Sequence, residues 1–233
     1  MVPDDGQLRE LEGQLAHEFP TLRVEQRKTG PCVVGSLLLV ESDIEIARYD
    51  IEIEIPADPK DLPKVREVGG KIPQTKERHV NSGDGSACLF VPDERWKYYP
   101  IGSSIIEFIR NPVREFFLWQ AYYDIEGKPL FPGRSHGPDG VLESYFEELQ
   151  TKNPRVVVKF LDYLGSKKPK GHWDCYCGSG KRLRDCHFAK LLALRERIPR
   201  AYARNSFSLL RGWPSTQKPM PRRGSDTSIP ASL

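Results

Sequence analysis

Tyr49-Asp50-Ile51-Glu52-Ile53-Glu54-Ile55 alternates apolar and acidic side chains without a break. Successive side chains of an extended chain face opposite sides, so a strict period of two describes a strand with one face buried and one in water. Upstream, Leu22-Arg23-Val24 begins another strand, Cys32 to Val40 forms a third, and Asp43 to Ile46 precedes or continues the alternating one. Ahead of these, Leu8, Leu11 and Leu15 recur at helical spacing within residues 7–18, and Phe19-Pro20 ends the pattern. A helix followed by an antiparallel meander, with no strand–helix–strand rhythm, specifies an α+β fold.

Downstream of Pro56 the punctuation changes. Residues 56–73 are broken by proline and glycine and read as mostly loop, with Val65 and Val68 as apolar anchors. Trp96, Tyr98 and Tyr99 form an aromatic cluster before Pro100. Ser103 or Ser104 caps a helix through Ile105, Ile106, Phe108 and Ile109, and Asn111-Pro112 either kinks it or starts a second helix over 113–123. Apolar and aromatic residues on both faces of that helix place it behind the sheet, in the core. A glycine-rich loop, 135–140, leads into a helix over 141–150, and residues 156–164 fit strand or helix equally. Residues 165–171 have linker composition, and a helix over 183–198 follows. From Gly212 onward the chain is rich in Pro, Ser and Arg and poor in apolar residues, which predicts disorder.

Charge divides the chain. Residues 1–165 hold 20 Lys/Arg against 28 Asp/Glu, whereas residues 166–233 hold 15 against 4. That split separates a main domain, 1–165, from a small unit, 166–200, and a basic flexible tail, 201–233, whose charge suits an acidic partner or nucleic acid. The longest apolar run, Leu37 to Val40, is far too short to span a membrane, and Met1-Val2-Pro3-Asp4-Asp5 lacks the layout of a signal peptide. Five cysteines, three of them within residues 175–186, do not form a secreted disulfide framework, so a reducing cytoplasm is expected.

Two stretches carry chemistry. The first, His79 to Phe90, sets Cys88 just past a turn-rich loop (Ser82, Gly83, Asp84, Gly85, Ser86), with His79 and Asn81 upstream of it. A thiol is the strongest nucleophile among side chains near neutral pH, and an amide donor nearby stabilises the oxyanion of acyl transfer. Cysteine is also among the most buried residue types, so Cys88 equally fits the start of a buried segment. His136, in the second glycine-rich loop, either projects into the cleft of Cys88 or stays on the surface. The second stretch contains Cys175, Cys177, Cys186 and His187 around a Gly-Ser-Gly turn. Three thiolates and one imidazole complete a tetrahedral structural zinc site, with His172 as an alternative to His187. Metal binding would supply the stability that so small a unit lacks. A phosphate loop is excluded, because Cys175 replaces its first glycine and Arg182 follows the lysine where Ser or Thr is required.

The second stretch resembles the SEC-C motif, Cys-x-Cys-Gly-Ser-Gly-Lys-x4-Cys-(Cys/His), found at the end of the SecA translocation ATPase; Cys175, Cys177, Gly178, Ser179, Gly180, Lys181, Cys186 and His187 match it. The resemblance implies zinc and a docking role. Residues 7–150 resemble a bacterial ubiquitin-conjugating (UBC-like) domain of CBASS antiphage systems. Arg78-His79-Val80-Asn81, Asp84-Gly85-Ser86-Ala87-Cys88-Leu89 and Ser135-His136-Gly137 with Gly140 carry that likeness. It implies that Cys88 carries a thioester, Asn81 steadies the oxyanion and His79 shapes the loop. It also implies a cGAS-like nucleotidyltransferase as the protein substrate, with or without an activating enzyme. Val80 stands where eukaryotic relatives have proline, and their C-terminal helices are not evident. The alternative is an inactive UBC-fold adaptor that docks partners through the fold and the SEC-C motif.

Overall fold

The computed structural model describes residues 4–129, 133–166 and 168–213. Helix α1 (Asp5–Glu18) opens on a capping box: Asp4 accepts from the Gln7 backbone, and the Gln7 side chain accepts from the Asp4 backbone. Leu11 and Leu15 form its buried stripe. Strands β1 (Leu22–Arg27), β2 (Gly30–Glu41), β3 (Ile44–Glu54) and β4 (Lys64–Glu67) form an antiparallel sheet in the order β1-β2-β3-β4. The alternation behaves as expected: Ile51 and Ile53 are fully buried, while Glu52 and Glu54 pair with Arg27 and Arg66 on the other face. Gly35 sits opposite Ile51 with a φ of +134°, and a Cβ there would meet the Thr21 carbonyl at 2.1 Å. Only glycine fits this approach of the α1–β1 turn to the sheet.

Residues 56–73 are not all loop. Lys64–Glu67 pairs along β3 as the edge strand, with Val65 buried, but Val68 is 57% exposed and anchors nothing. A 3-10 turn (Pro92–Glu94) leads into α2 (Arg95–Tyr98). Ser104, not Ser103, caps α3 (Ile105–Phe108), again in a capping box with Glu107. A turn of π-helix, Ile109–Val113, joins α3 to α4 (Arg114–Glu126). Pro112 lies inside that turn; its ring lacks the N–H of the helical ladder and crowds the preceding carbonyl, and the widened turn accommodates both. Helix α4 is buried behind the sheet through Phe116, Phe117, Trp119, Gln120 and Ala121.

Two apolar cores result. The first joins α1, the sheet and the α3–α4 unit. The second joins α5 (Pro138–Leu149), α6 (Pro154–Gly165), the Cys175–Cys186 segment, α7 (Phe188–Arg197) and α8 (Arg200–Leu210). Residues 156–164 are thus helical, not strand, within α6. Leu183–Asp185 forms a separate 3-10 turn before α7, where one continuous helix was expected. The expectation of a flexible tail from residue 201 is also corrected. Helix α8 buries Ala203, Ser206 and Leu210 against α6, so close that a Cβ on Gly165 would lie 3.1 Å from Arg204. Beyond Trp213 the expected disordered segment lies outside the described residues. Among the described residues no helix is long and apolar enough to cross a membrane.

Candidate active site and metal centre

The chain passes from the first core to the second between Phe90 and Val91, two residues after Cys88. Cys88 therefore stands at the seam, on a hairpin held by pairing rather than by helix. The Cys88 amide donates to the His79 carbonyl (2.7 Å), Val80 bridges Ala87, and the Asn81 amide donates to the Ser86 carbonyl (2.8 Å). Across that bridge Asn81 stands opposite Ser86, and His79 opposite Cys88. The hairpin is fastened to the sheet edge: the Ala87 amide donates to the Val65 carbonyl (2.8 Å) and Arg66 Nε to the Asp84 carbonyl (2.8 Å).

Asp84 closes the loop. Its carboxylate accepts from Lys64 Nζ (2.8 Å), the Ser86 hydroxyl (2.6 Å) and the Ser86 amide (3.1 Å). These donors, Lys64 first, hold its carboxyl well below the ordinary carboxylate range. Asn81 Nδ2 donates to Ser86 Oγ at 3.0 Å, which leaves the carboxamide's second N–H free of this bond. On the other side, Arg78 is buried against α4. Its Nε donates to Gln120 Oε1 (2.7 Å) and one terminal nitrogen to Asp124 (2.5 Å), while Gln120 Nε2 returns a bond to the Arg78 carbonyl (2.8 Å). This clamp immediately precedes His79, whose φ of +51° is left-handed. Such a conformation persists where its surroundings enforce it.

Cys88 is half-buried and lines two depressions. One, of about 220 Å³, includes His79, Tyr98, Glu115, Trp119 and Arg134. The other, of about 680 Å³, includes Asn81, Leu62, Phe108 and, from α8, Tyr202. Burial pushes the thiol above its ordinary pKa. Burial, and secondarily His136, pushes the His79 imidazole down, which keeps it neutral near pH 7. His136 reaches the cleft: its ring stacks on His79 with centroids 4.6 Å apart, and its Nε2 lies 2.6 Å from the Lys76 carbonyl. Gly133 packs so closely that a Cβ there would lie 2.2 Å from His79 Nε2. Arg134 anchors this strap by ion pairs to Glu94 and Glu147 (2.8 and 2.7 Å).

Several residues that shape the site gave no sequence signal. Arg95 donates to the carbonyls of Pro59, Lys60 and Asp61, and the Tyr202 hydroxyl also reaches Lys60 (2.9 Å), so together they set one wall of the larger depression. Buried Asp93 accepts from Tyr145 (2.6 Å) and Ser206 (2.8 Å), tying the segment after Cys88 to α5 and α8. Polar partners so distant in sequence have no periodicity to betray them.

The C-terminal donors also converge. Cys175 Sγ and Cys186 Sγ lie 3.1 and 3.0 Å from His187 Nδ1, and Cys177 Sγ lies 3.7 Å from Cys186 Sγ. The four ligand atoms all lie within 4.8 Å of one another, a spread and donor set that suit a metal ion. His187, not His172, completes the group. Gly178 and Gly180, at φ of +76° and +75°, make the turn that brings Cys175 and Cys177 to Cys186 and His187. The chain matches no protein-family model, no curated protein and no solved structure.

Proposed function

We propose that the chain is a cysteine-dependent conjugating enzyme of the ubiquitin-conjugating type, whose Cys88 carries the C-terminal acyl group of a protein and delivers it to an amine. The observation that carries this reading is the position of Cys88 on the wall between two depressions, paired with His79 and sharing a groove with Asn81. The sheet, the preceding α1 and the following helices agree with a UBC-like arrangement. In the first step the Cys88 sulfur attacks an activated acyl donor, a thioester or acyl adenylate; the new C–S bond forms as the donor's leaving group departs, and the thiol proton passes to base or solvent. In the second step an amine attacks the thioester carbonyl, the C–N bond forms, the C–S bond breaks, and the amine's proton is released as the thiolate of Cys88 is regained. Each step passes through a tetrahedral oxyanion, for which the second N–H of Asn81, without a partner among the described residues, is the donor. A chain that exchanges thioester for amide needs positioning more than a strong base, and the absence of an ion pair at Cys88 among the described residues is compatible with that need.

A cGAS-like nucleotidyltransferase as the acyl partner, an activating enzyme upstream, and zinc at Cys175, Cys177, Cys186 and His187 belong to the same proposal. Zinc there would be closed by four protein ligands and would brace the second core, taking no part in transfer. The test is discharge of a Cys88-loaded protein to free lysine. Asn81→Ala is expected to load more slowly and, once loaded, to discharge about 10²–10³-fold more slowly than the wild type. Cys88→Ala is expected to lose the adduct while keeping its fold and the metal at its C-terminal cluster. Adduct formation that survives Cys88→Ala refutes the reading.

A further inference from the structure

The cleft holds a second set of metal-type donors. Cys88, His79 and His136 offer one thiol and two imidazoles whose ligand atoms all lie within 4.8 Å of one another. They come from two separate segments, the hairpin and the strap before α5, and each is fixed by contacts outside the group. The hairpin pairs Cys88 with His79 through the backbone, and His79 is held edge-on against Trp119 with ring centroids 5.4 Å apart. His136 is fixed by Lys76: a backbone carbonyl accepts only from an N–H, so Nε2 carries the proton at 2.6 Å and Nδ1 keeps the lone pair. An imidazole that donates one ring N–H to a backbone carbonyl and presents the other nitrogen is the usual arrangement of a metal-bound histidine.

We propose that Cys88, His79 and His136 form a three-ligand site for zinc or another borderline-soft divalent cation, with the fourth position open to the adjoining depression. Donors of a tetrahedral zinc site with one sulfur lie about 3.4–3.6 Å apart. The observed spread, within 4.8 Å, must contract to that on binding, as the side chains turn toward the cation. The two rings are stacked, at 26° between planes, so one ring must turn for both lone pairs to meet the same cation. Ser135, Trp119 and Glu115 line the open side, so water or a small anion completes the shell. The site stands whether or not Cys88 carries an acyl group. Its consequence for transfer rests on the proposed function: a sulfur bound to the cation cannot attack a carbonyl, so the cation would hold the enzyme unloaded until removed.

The test uses the full chain with its C-terminal cluster intact and zinc alone as the probe. Bound zinc per chain is measured after dialysis against buffered free zinc, and alkylation of Cys88 by iodoacetamide is followed by peptide mass mapping with and without zinc. Two zinc ions per chain are expected in the wild type, falling to one in Cys88→Ala and in His136→Ala. Zinc is expected to slow Cys88 alkylation at least about tenfold in the wild type and not in His136→Ala, since losing a ligand should exceed the ~10–100-fold cost of outer-shell changes. One zinc ion per chain with unchanged Cys88 alkylation overturns the site. Two ions and full protection in His136→Ala overturn the assignment of His136. Loading of Cys88 measured with one zinc ion per chain, held by the C-terminal cluster, separates failure of this site from failure of the proposed function.

Discussion

Gln120 is the residue through which α4 grips the chain just ahead of His79, and replacing it with Leu isolates that grip. Gln120 is fully buried, Arg78 is 7% exposed, and the two exchange a pair of hydrogen bonds. Leucine is close to glutamine in volume, so the substitution leaves little cavity. It strands two buried groups, the Arg78 carbonyl and the Arg78 Nε–H, while the Asp124 contact survives. Each orphaned group costs about 1–3 kcal/mol, so Gln120→Leu should destabilise by about 2–6 kcal/mol. That is a large share of the roughly 5–15 kcal/mol typical of a folded domain. Urea unfolding, followed by tryptophan fluorescence, measures the loss. Amide exchange at Cys88, whose N–H is bonded to His79, should also quicken more than exchange in β2. A loss below about 1 kcal/mol, or equal quickening in the sheet, would refute the view that this clamp sets the hairpin.

Other outcomes follow from the same geometry. Chelation, or Cys186→Ser, should melt the second core while the sheet persists, because structural zinc contributes about 10–16 kcal/mol in isolated zinc peptides; identical unfolding with and without metal would contradict this. The Tyr176 hydroxyl is buried with no hydrogen-bond partner among the described residues, so Tyr176→Phe should stabilise the chain by about 1 kcal/mol, read as a raised urea midpoint. Asp84→Ala should cost only about 1 kcal/mol, since 36% of that side chain stays exposed, but should loosen the loop before Cys88. Because the native Asp84 carboxyl is held below its unfolded value of about 3.9, its contribution is present above that pH and fades as acid approaches the lower native value. A loop that loosens between pH 5 and 8 on account of Asp84 would contradict the sign.

How far the fold was legible depends on how local its causes are. Residues 49–55 announced their strand because burial of Ile51 and Ile53 is written into alternate positions. Strand β4 was hidden: it has four residues, one of them fully buried, between Pro63 and Gly69, and exists because β3 and Ala87 pair with it from either side. Helix α8 was hidden by its charge, since its buried residues include only small ones beside Leu210, and packing on α6 rather than a broad apolar stripe makes it a helix with a place. In the site, Cys88, Asn81 and His79 were legible from their spacing across a turn. The left-handed His79 and the stacking of His136 upon it arise from contacts between segments some 57 residues apart in sequence, which no local pattern encodes. The four C-terminal donors were legible because two tight turns bring them together.

The role of Cys88 is measured most directly by the intact mass of the chain, carrying one zinc ion for its C-terminal cluster, after exposure to a short synthetic peptide with a C-terminal glycyl thioester. One peptidyl adduct is expected, mapped to Cys88 by digestion, released by hydroxylamine and lost in Cys88→Ala. An adduct only at the exposed Cys186, or none although iodoacetamide still reaches Cys88, would contradict it.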